Sequence, residues 1–193
     1  MRKSLGILSI LFFIIMGLLL FFVLGYRERP ASVNKDLWNW GKKTSKELNS
    51  YLDNLSNNDI NKDNGFLTSS SKTKFFLIKD EKRTRKMIFQ QGRNLITDGK
   101  VSTDEEKIIF KCIIDYYTEM DKIDKVIDEY DILVLRNYTE EISGIDSSLE
   151  NKRNELINEL VILNNYNKEI KNIYGFDKEK EIDKVIKMLR LNK

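Results

Sequence analysis

The amino-acid sequence predicts an all-α protein. A single N-terminal transmembrane helix is followed by a helical domain, whose long coiled-coil-like helices form an antiparallel helical hairpin. Three observations predict this class: residues 5–25 are almost wholly apolar, apolar side chains recur at helical spacing after residue 103, and Pro30 is the single proline. A long apolar run is typical of a membrane span, and a repeat of about 3.5 residues is typical of long packed helices.

Composition excludes several classes of function. The 193 residues include no histidine and one cysteine, Cys112. Histidine-based acid–base chemistry, Cys/His zinc sites, Ser-His-Asp triads and an intrachain disulfide framework are therefore ruled out. The sequence contains no phosphate-binding glycine loop and no nucleophile elbow. We therefore expect a protein that is not an enzyme and has no cofactor, and we interpret Cys112 as a small buried apolar residue.

The first element is the apolar run from Leu5 to Gly25, in which 17 of 21 residues are large and apolar and none is charged. As a helix this run is roughly 31 Å long, which matches a hydrocarbon core of about 30 Å. A cleaved signal peptide is the alternative, but the run exceeds a usual h-region and no small-x-small cleavage site follows it. We expect residues 1–29 to be an uncleaved anchor with its flanks. Representative positions within the membrane are Leu5, Ile10, Phe13, Leu19 and Phe22.

Basic residues flank the apolar run on both sides: Arg2 and Lys3 before it, Arg27 and Arg29 after it. The first basic cluster usually sets the orientation, and long domains translocate largely regardless of their charge. We therefore expect a single-pass protein of the plasma or inner membrane with its C-terminal body outside the cytoplasm. The Lys-, Asn- and Ile-rich composition suits an AT-rich bacterial genome.

Charge is distributed unevenly over the rest of the chain. Residues 27–101 carry a net charge of +7, whereas residues 102–193 carry −6. A basic membrane-proximal part could be attracted to anionic headgroups, at about 1 kcal/mol per well-placed Lys or Arg. The same asymmetry is explained if the two halves pack on each other or if both are simply solvated faces, and we favour these interpretations.

Residues 30–74 are expected to form a membrane-proximal helix and a polar loop. Apolar residues at helical spacing predict a helix over residues 35–55, and Asn34 is suited to cap its first turn. Trp38 and Trp40 could lie at the lipid interface or in a small core, and we expect at least one of them in the core. The Asn-, Asp- and Ser-rich composition of residues 56–74 predicts a loop.

Residues 75–193 are expected to be the helical domain, whose most motif-like stretch is residues 94–105. The second half of that stretch matches a calcium-binding EF-hand loop at Asp98, Gly99, Val101, Ser102 and Glu105. The first half does not match, because Ile96 stands where an oxygen ligand is required. A turn followed by a Ser102–Glu105 capping box explains the same residues without a metal, and we favour it. The metal hypothesis makes Asp98 and Glu105 the ligands of a weak divalent-cation site.

The stretch Asp98-Gly99-Lys100-Val101-Ser102-x-x-Glu105 also resembles the helix-turn-helix signature of the tellurite-resistance TerB-like domains. The resemblance is confined to residues 94–105. It implies a helix-turn-helix at this position and carries no function to the rest of the chain.

A long amphipathic helix is predicted from residue 103 to about residue 143. Its apolar seam consists of Ile109, Ile113, Tyr116, Met120, Ile123, Ile127, Tyr130 and Val134. The seam can pack on a partner helix, but its two tyrosines are bulky for a regular dimer, so an intramolecular bundle is the alternative. Gly144 breaks the pattern, and the short connection there favours an antiparallel hairpin with a second helix to Tyr174. One nearly continuous rod with a local defect at Gly144 is the alternative. Residues 178–191 predict a final amphipathic helix.

Together these features predict a membrane-anchored, non-catalytic structural or adaptor component of a cell-envelope assembly that acts through helix packing. Its expected partners are the membrane and other envelope proteins or further copies of itself, with no nucleic acid. The alternative hypothesis is a membrane-tethered sensor or regulator that binds a divalent cation or a small ligand between its helices.

Overall fold

The computed structural model describes residues 27–57, 86–139 and 144–191. Those ranges contain five helices: α1 (Lys35–Ser56), α2 (residues 86–97), α3 (Asp104–Thr139), α4 (Ile145–Tyr174) and α5 (Glu179–Leu191). The same ranges contain no strand, so the all-α class is confirmed for them. None of their helices is both long enough and apolar enough to cross a bilayer. The predicted anchor positions Leu5, Ile10, Phe13, Leu19 and Phe22 lie outside the described residues.

The start of α1 is where the sequence places it. The Asn34 side chain accepts hydrogen bonds from the backbone N–H groups of Asp36, at 2.8 Å, and Leu37, at 3.4 Å. These N–H groups have no partner within the helix, so the cap satisfies donors that would otherwise be unpaired. The predicted polar loop follows the end of α1, and its residues from 58 onwards lie outside the described ranges.

The capping box of α3 lies one residue later than the predicted Ser102–Glu105 pair, so that prediction is wrong. The Glu106 backbone N–H donates to the Thr103 hydroxyl at 3.2 Å, and the Thr103 N–H donates to the Glu106 carboxylate at 3.0 Å. Glu106 also accepts from the Ser102 N–H, at 2.9 Å, and from the Asn34 N–H, at 2.7 Å. This further donor comes from a distant part of the sequence, and it helps to explain why Glu106 forms the box.

Helices α3 and α4 run antiparallel. Lys122 on α3 lies 4.0 Å from Glu159 on α4, and seven residues further along α3 Glu129 lies 2.5 Å from Lys152, which is seven residues earlier on α4. A forward step on one helix that matches a backward step on the other is the mark of an antiparallel pair. Gly144, at φ 85°, precedes α4 and supplies the left-handed backbone of the turn.

The seam of α3 is filled by the chain itself. Its eight predicted positions, Ile109, Ile113, Tyr116, Met120, Ile123, Ile127, Tyr130 and Val134, are all buried in a core shared with α1, α4 and α5. The intramolecular bundle is therefore the correct one of the two interpretations. A partner helix cannot pack on these side chains while the bundle is intact, so any surface for a partner lies elsewhere.

Both tryptophans of α1 are core residues. The Trp38 ring lies 4.7 Å from the Tyr174 ring at the end of α4, measured between centroids. The Trp40 ring stacks on Phe110 of α3 at 5.3 Å, and its indole N–H donates to the Ile88 carbonyl of α2 at 2.6 Å. Burial with a satisfied N–H is the usual state of a core tryptophan, and the expectation that at least one would be in the core is confirmed.

Candidate functional site

A groove of about 530 Å³ opens at the end of the bundle where α1 and α3 begin and α4 ends. It is lined by Arg27, Glu28, Pro30, Trp38, Glu105, Ile108, Ile109, Asn172 and Ile173. These residues come from four segments: residues 27–34, which we call the leading segment, and the three helices. We take this groove, named here the base groove, as the candidate functional site.

The floor and walls of the base groove are apolar. Trp38 and Ile109 are buried beneath it and belong to the hydrophobic core. Ile173 is half-buried, whereas Ile108, which precedes Ile109 on α3, is 68% exposed. Ile108 therefore adds an exposed aliphatic side chain to the edge of the apolar floor.

Polar contacts hold the leading segment over the groove. The Arg27 guanidinium donates a hydrogen bond to the Asn172 carbonyl near the end of α4. The Ser32 hydroxyl donates to the Glu105 carboxylate at 2.7 Å, which ties the segment to the first turn of α3. The Asn34 N–H donates to Glu106. The segment is therefore attached to two different helices before α1 begins.

Glu106 is the most strongly perturbed carboxyl at this end of the bundle. Hydrogen bonds from the backbone N–H groups of Thr103, Ser102 and Asn34 lower its pKa to about 2. Because these donors favour the charged form, the side chain is a carboxylate at physiological pH. Its negative charge also lies at the N-terminus of α3, where the helix dipole stabilises an anion. Glu106 is thus a structural clamp between the leading segment and α3.

The base groove lies at the point where the predicted anchor ends. The apolar run ends at Gly25, and Arg27, two residues later, is already part of the groove lining. Two residues of extended chain span at most about 7 Å. If residues 5–25 cross a bilayer, the groove is held at the surface of that bilayer.

The two predicted cation ligands lie close in sequence but have separate surroundings. Asp98 is exposed in the turn after α2, where Gly99 has a φ of 66°. Glu105 accepts a hydrogen bond from Ser32, and Lys100, between them, pairs with Asp36 at 2.8 Å. Within the described ranges, no group of three or more Cys, Asp or Glu side chains is placed to hold a metal ion. The site at Asp98 and Glu105 stays a prediction.

An acidic pair between α3 and α4, formed by the buried Glu119 and the partly exposed Glu159, escaped the sequence analysis. The Glu119 side chain is 2% exposed, and its carboxylate forms an ion pair with the Lys122 ammonium group, with an N–O distance of 3.0 Å. A hydrogen bond with Glu119, burial and the negative charge of Glu119 together raise the pKa of Glu159. The neighbouring Glu119 carboxyl therefore disfavours the ionised form of Glu159. The sequence shows only acidic residues at helical spacing, which are usually solvent-exposed.

Cys112 behaves as the sequence suggests. Its side chain is buried, and it forms no disulfide. Burial, followed by a hydrogen bond to Glu169 on α4, raises its pKa to about 12. Since the thiolate is the reactive form, this cysteine is chemically quiet. The interpretation as a small buried apolar residue is confirmed.

Comparison with protein families, with curated proteins and with solved structures finds no match to this chain. The function therefore has to be argued from the fold, the base groove and the apolar run that precedes it.

Proposed function

We propose that the protein is a non-catalytic, membrane-anchored structural or adaptor component of a cell-envelope assembly, in which the helical bundle is a stiff spacer. The observation that carries the proposal is the self-filled seam of α3. Eight apolar positions that could have served a partner are used to fix α3 against the chain's own helices. Close-packed interiors of this kind are rigid, so the bundle can keep its two ends at a fixed distance from each other.

The dimensions of the hairpin suit a spacer. The 36 residues of α3 correspond to a helix of about 54 Å. One end of the hairpin carries the base groove and the leading segment, which follows the predicted anchor. The other end carries the turn at Gly144. An anchored hairpin that stands away from the membrane would hold this turn about 50 Å from the bilayer surface.

Partner contacts would use the outer side of α4. Val161, which is 48% exposed, and its neighbour Ile162 are large apolar residues on that helix. Both positions lie near the middle of α4, away from the base groove and from the turn. Adjacent exposed aliphatic side chains on a rigid helix offer a surface on which a second helix can pack.

In-cell photo-crosslinking tests the proposal. A photoreactive amino acid is placed at Val161 in the full-length protein, and a second strain carries it at Asn151, an exposed polar position on the same helix. We expect Val161 to form reproducible adducts with one or a few envelope proteins and Asn151 to form few. Adducts with a second copy of the chain would identify a homo-oligomer. The absence of adducts from every exposed position of the bundle would contradict an adaptor role.

A further inference from the structure

We infer that the base groove is a lipid-binding surface, with the interfacial region of the bilayer as its occupant. This inference rests on the proposed function, because it requires residues 5–25 to anchor the chain. It assigns a partner to a surface that neither the seam of α3 nor the outer side of α4 explains.

Tether length is the first argument. Gly25, the last residue of the apolar run, and Arg27, the first residue of the groove lining, are separated by Tyr26 alone. At most about 7 Å of chain therefore separates the end of a membrane helix from the groove. The Arg27–Asn172 hydrogen bond restricts the movement of this linker further, because it fixes Arg27 to the end of α4. No soluble domain could be inserted between the groove and the bilayer without breaking this contact.

The chemistry of the lining is the second argument. Ile108 extends from the edge of the groove, Pro30 and Ile173 form further apolar wall, and Trp38 lies beneath it. Exposed and half-buried aliphatic side chains with a charged rim are a composition found where proteins meet the headgroup and upper acyl region. The exposed surface of Ile108 gains by leaving water, and the lipid interface is the nearest apolar phase.

Charge distinguishes this surface from an anionic-lipid site. The charged groups of the lining are Arg27, Glu28 and Glu105, so two carboxylates accompany one guanidinium. Nearby, Lys100 is paired with Asp36. The exposed Arg29 side chain donates to the Pro30 carbonyl at 3.3 Å, so the leading segment and the lining together carry two guanidinium groups and two carboxylates. A surface on which positive groups do not outnumber negative groups has no excess positive charge with which to select anionic headgroups. Binding should therefore depend on apolar insertion and change little with the content of anionic lipid.

Site-specific fluorescence in vesicles tests the inference with the full-length protein. An environment-sensitive nitrobenzoxadiazole label is attached to Ile108→Cys and, as a matched control, to Ile132→Cys. Ile132 is an exposed isoleucine on the same helix, 24 residues and about 36 Å further along α3. The native Cys112 can stay, because its burial and raised pKa protect it from labelling. Labelling of the unsubstituted protein provides the blank.

The labelled proteins are reconstituted into phosphatidylcholine vesicles, with and without phosphatidylglycerol, and with phosphatidylcholine spin-labelled near the headgroup. We expect a blue-shifted emission at position 108 that the spin label quenches, a water-like emission at position 132, and no dependence on phosphatidylglycerol. Water-like emission at position 108 would overturn the inference. So would a blue shift that the lipid spin label does not quench, because the groove would then be covered by protein, including the chain's own N-terminal segment.

Flotation of the vesicles separates this inference from the proposed function. Protein that fails to float with the vesicles has no functional anchor, and the proposed function fails together with the inference. Protein that floats but gives water-like emission from the label at position 108 refutes lipid binding by the groove and leaves the proposed anchor intact. Equal quenching at positions 108 and 132 in floating protein also refutes it, because the bundle would then lie flat on the membrane.

Discussion

Gly41 on α1 and Tyr174 at the end of α4 fit together so closely that no side chain can be added to the glycine. A Cβ atom at Gly41 would lie 2.9 Å from Cζ of the Tyr174 ring, nearer still to its hydroxyl oxygen, and against the Ile113 side chain. Tyr174 in turn packs on Trp38, part of the base groove lining. The absence of a side chain at Gly41 thus leaves room for the Tyr174 ring, which packs beneath the base groove.

Gly41→Ala should destabilise the protein. Overpacking in a core typically costs about 1–3 kcal/mol, and alanine returns about 1 kcal/mol through its higher helix propensity. Because three heavy atoms lie within 3 Å of the added Cβ, the upper part of that range applies, and we expect a net loss of about 1–2 kcal/mol in the free energy of unfolding, measured by thermal unfolding of the full-length protein in detergent. An unchanged or higher Tm would show that α4 can move away from α1 without cost.

Tyr174→Phe should have the opposite effect. The Tyr174 hydroxyl oxygen is buried and has no hydrogen-bond partner. Removing a buried polar group of this kind removes its desolvation penalty, so we expect stabilisation by about 1 kcal/mol. In the double variant with Gly41→Ala, the loss should be smaller than the sum of the single effects, because the hydroxyl is the nearest obstacle. Strict additivity would contradict the contact.

Glu106→Gln should weaken the attachment of the leading segment. The native carboxylate accepts from backbone donors on both the leading segment and α3, and a neutral amide is a poorer acceptor for them. The lowered pKa means that Glu106 stabilises the fold above about pH 4.5 and that this contribution is lost as the pH falls towards about 2. The variant should therefore have a lower free energy of unfolding than the native protein at neutral pH. Its free energy of unfolding should also change less as the pH falls below about 4.5.

Glu105→Gln is the matched control for this clamp. Glu105 is adjacent and exposed, and it accepts a hydrogen bond from the Ser32 hydroxyl at 2.7 Å. We expect a clearly smaller fall in Tm than for Glu106→Gln. Equal effects at the two positions would show that the fall reflects general charge at the start of α3.

Glu159→Gln tests the acidic pair in the hairpin. Because the folded pKa of Glu159 is raised, its protonated form stabilises the fold at low pH, and this contribution is lost as the pH rises from about 4.5 through the raised pKa. Glutamine mimics the protonated acid at every pH. We expect the variant to be more stable than the native protein at neutral pH, by roughly 1 kcal/mol, and about equal to it in acid.

Urea unfolding at several pH values measures this effect, and Glu155→Gln is the control. Glu155 lies one helical turn earlier on α4 and pairs with Lys152 at the surface, 45% exposed. An exposed pair contributes little, so we expect a change within a few tenths of a kcal/mol. If the free energies of unfolding of Glu159→Gln and of the native protein changed in parallel with pH, the raised pKa of Glu159 would be contradicted.

The sequence predicted the features that depend on local pattern. The Asn34 cap was predictable because an N-cap bonds to N–H groups two and three residues ahead of it. The seam of α3 was predictable because each of its positions repeats the helical period. The left-handed turn at Gly144 follows from the same logic, since glycine tolerates a positive φ.

The features that the sequence missed depend on contacts between distant segments. Glu106 was overlooked because one of its donors is the Asn34 N–H, 72 residues earlier. Gly92 was assigned no role, yet a Cβ there would lie 2.7 Å from Cε2 of Trp40, a contact between α2 and α1. The base groove combines four segments, and in the sequence Ile108 is simply an apolar residue beside the seam. A single sequence does not encode these juxtapositions as a pattern.

Alkaline carbonate extraction of cell membranes tests whether residues 5–25 anchor the helical body at a membrane. The full-length protein is compared with a variant carrying Phe13→Asp and Leu19→Asp. Each aspartate near the centre of the run disfavours insertion by about 2.5–3.5 kcal/mol. If residues 5–25 are an anchor, we expect the native protein to stay with the membrane pellet and the variant to move to the supernatant. A native protein that carbonate releases would contradict this expectation.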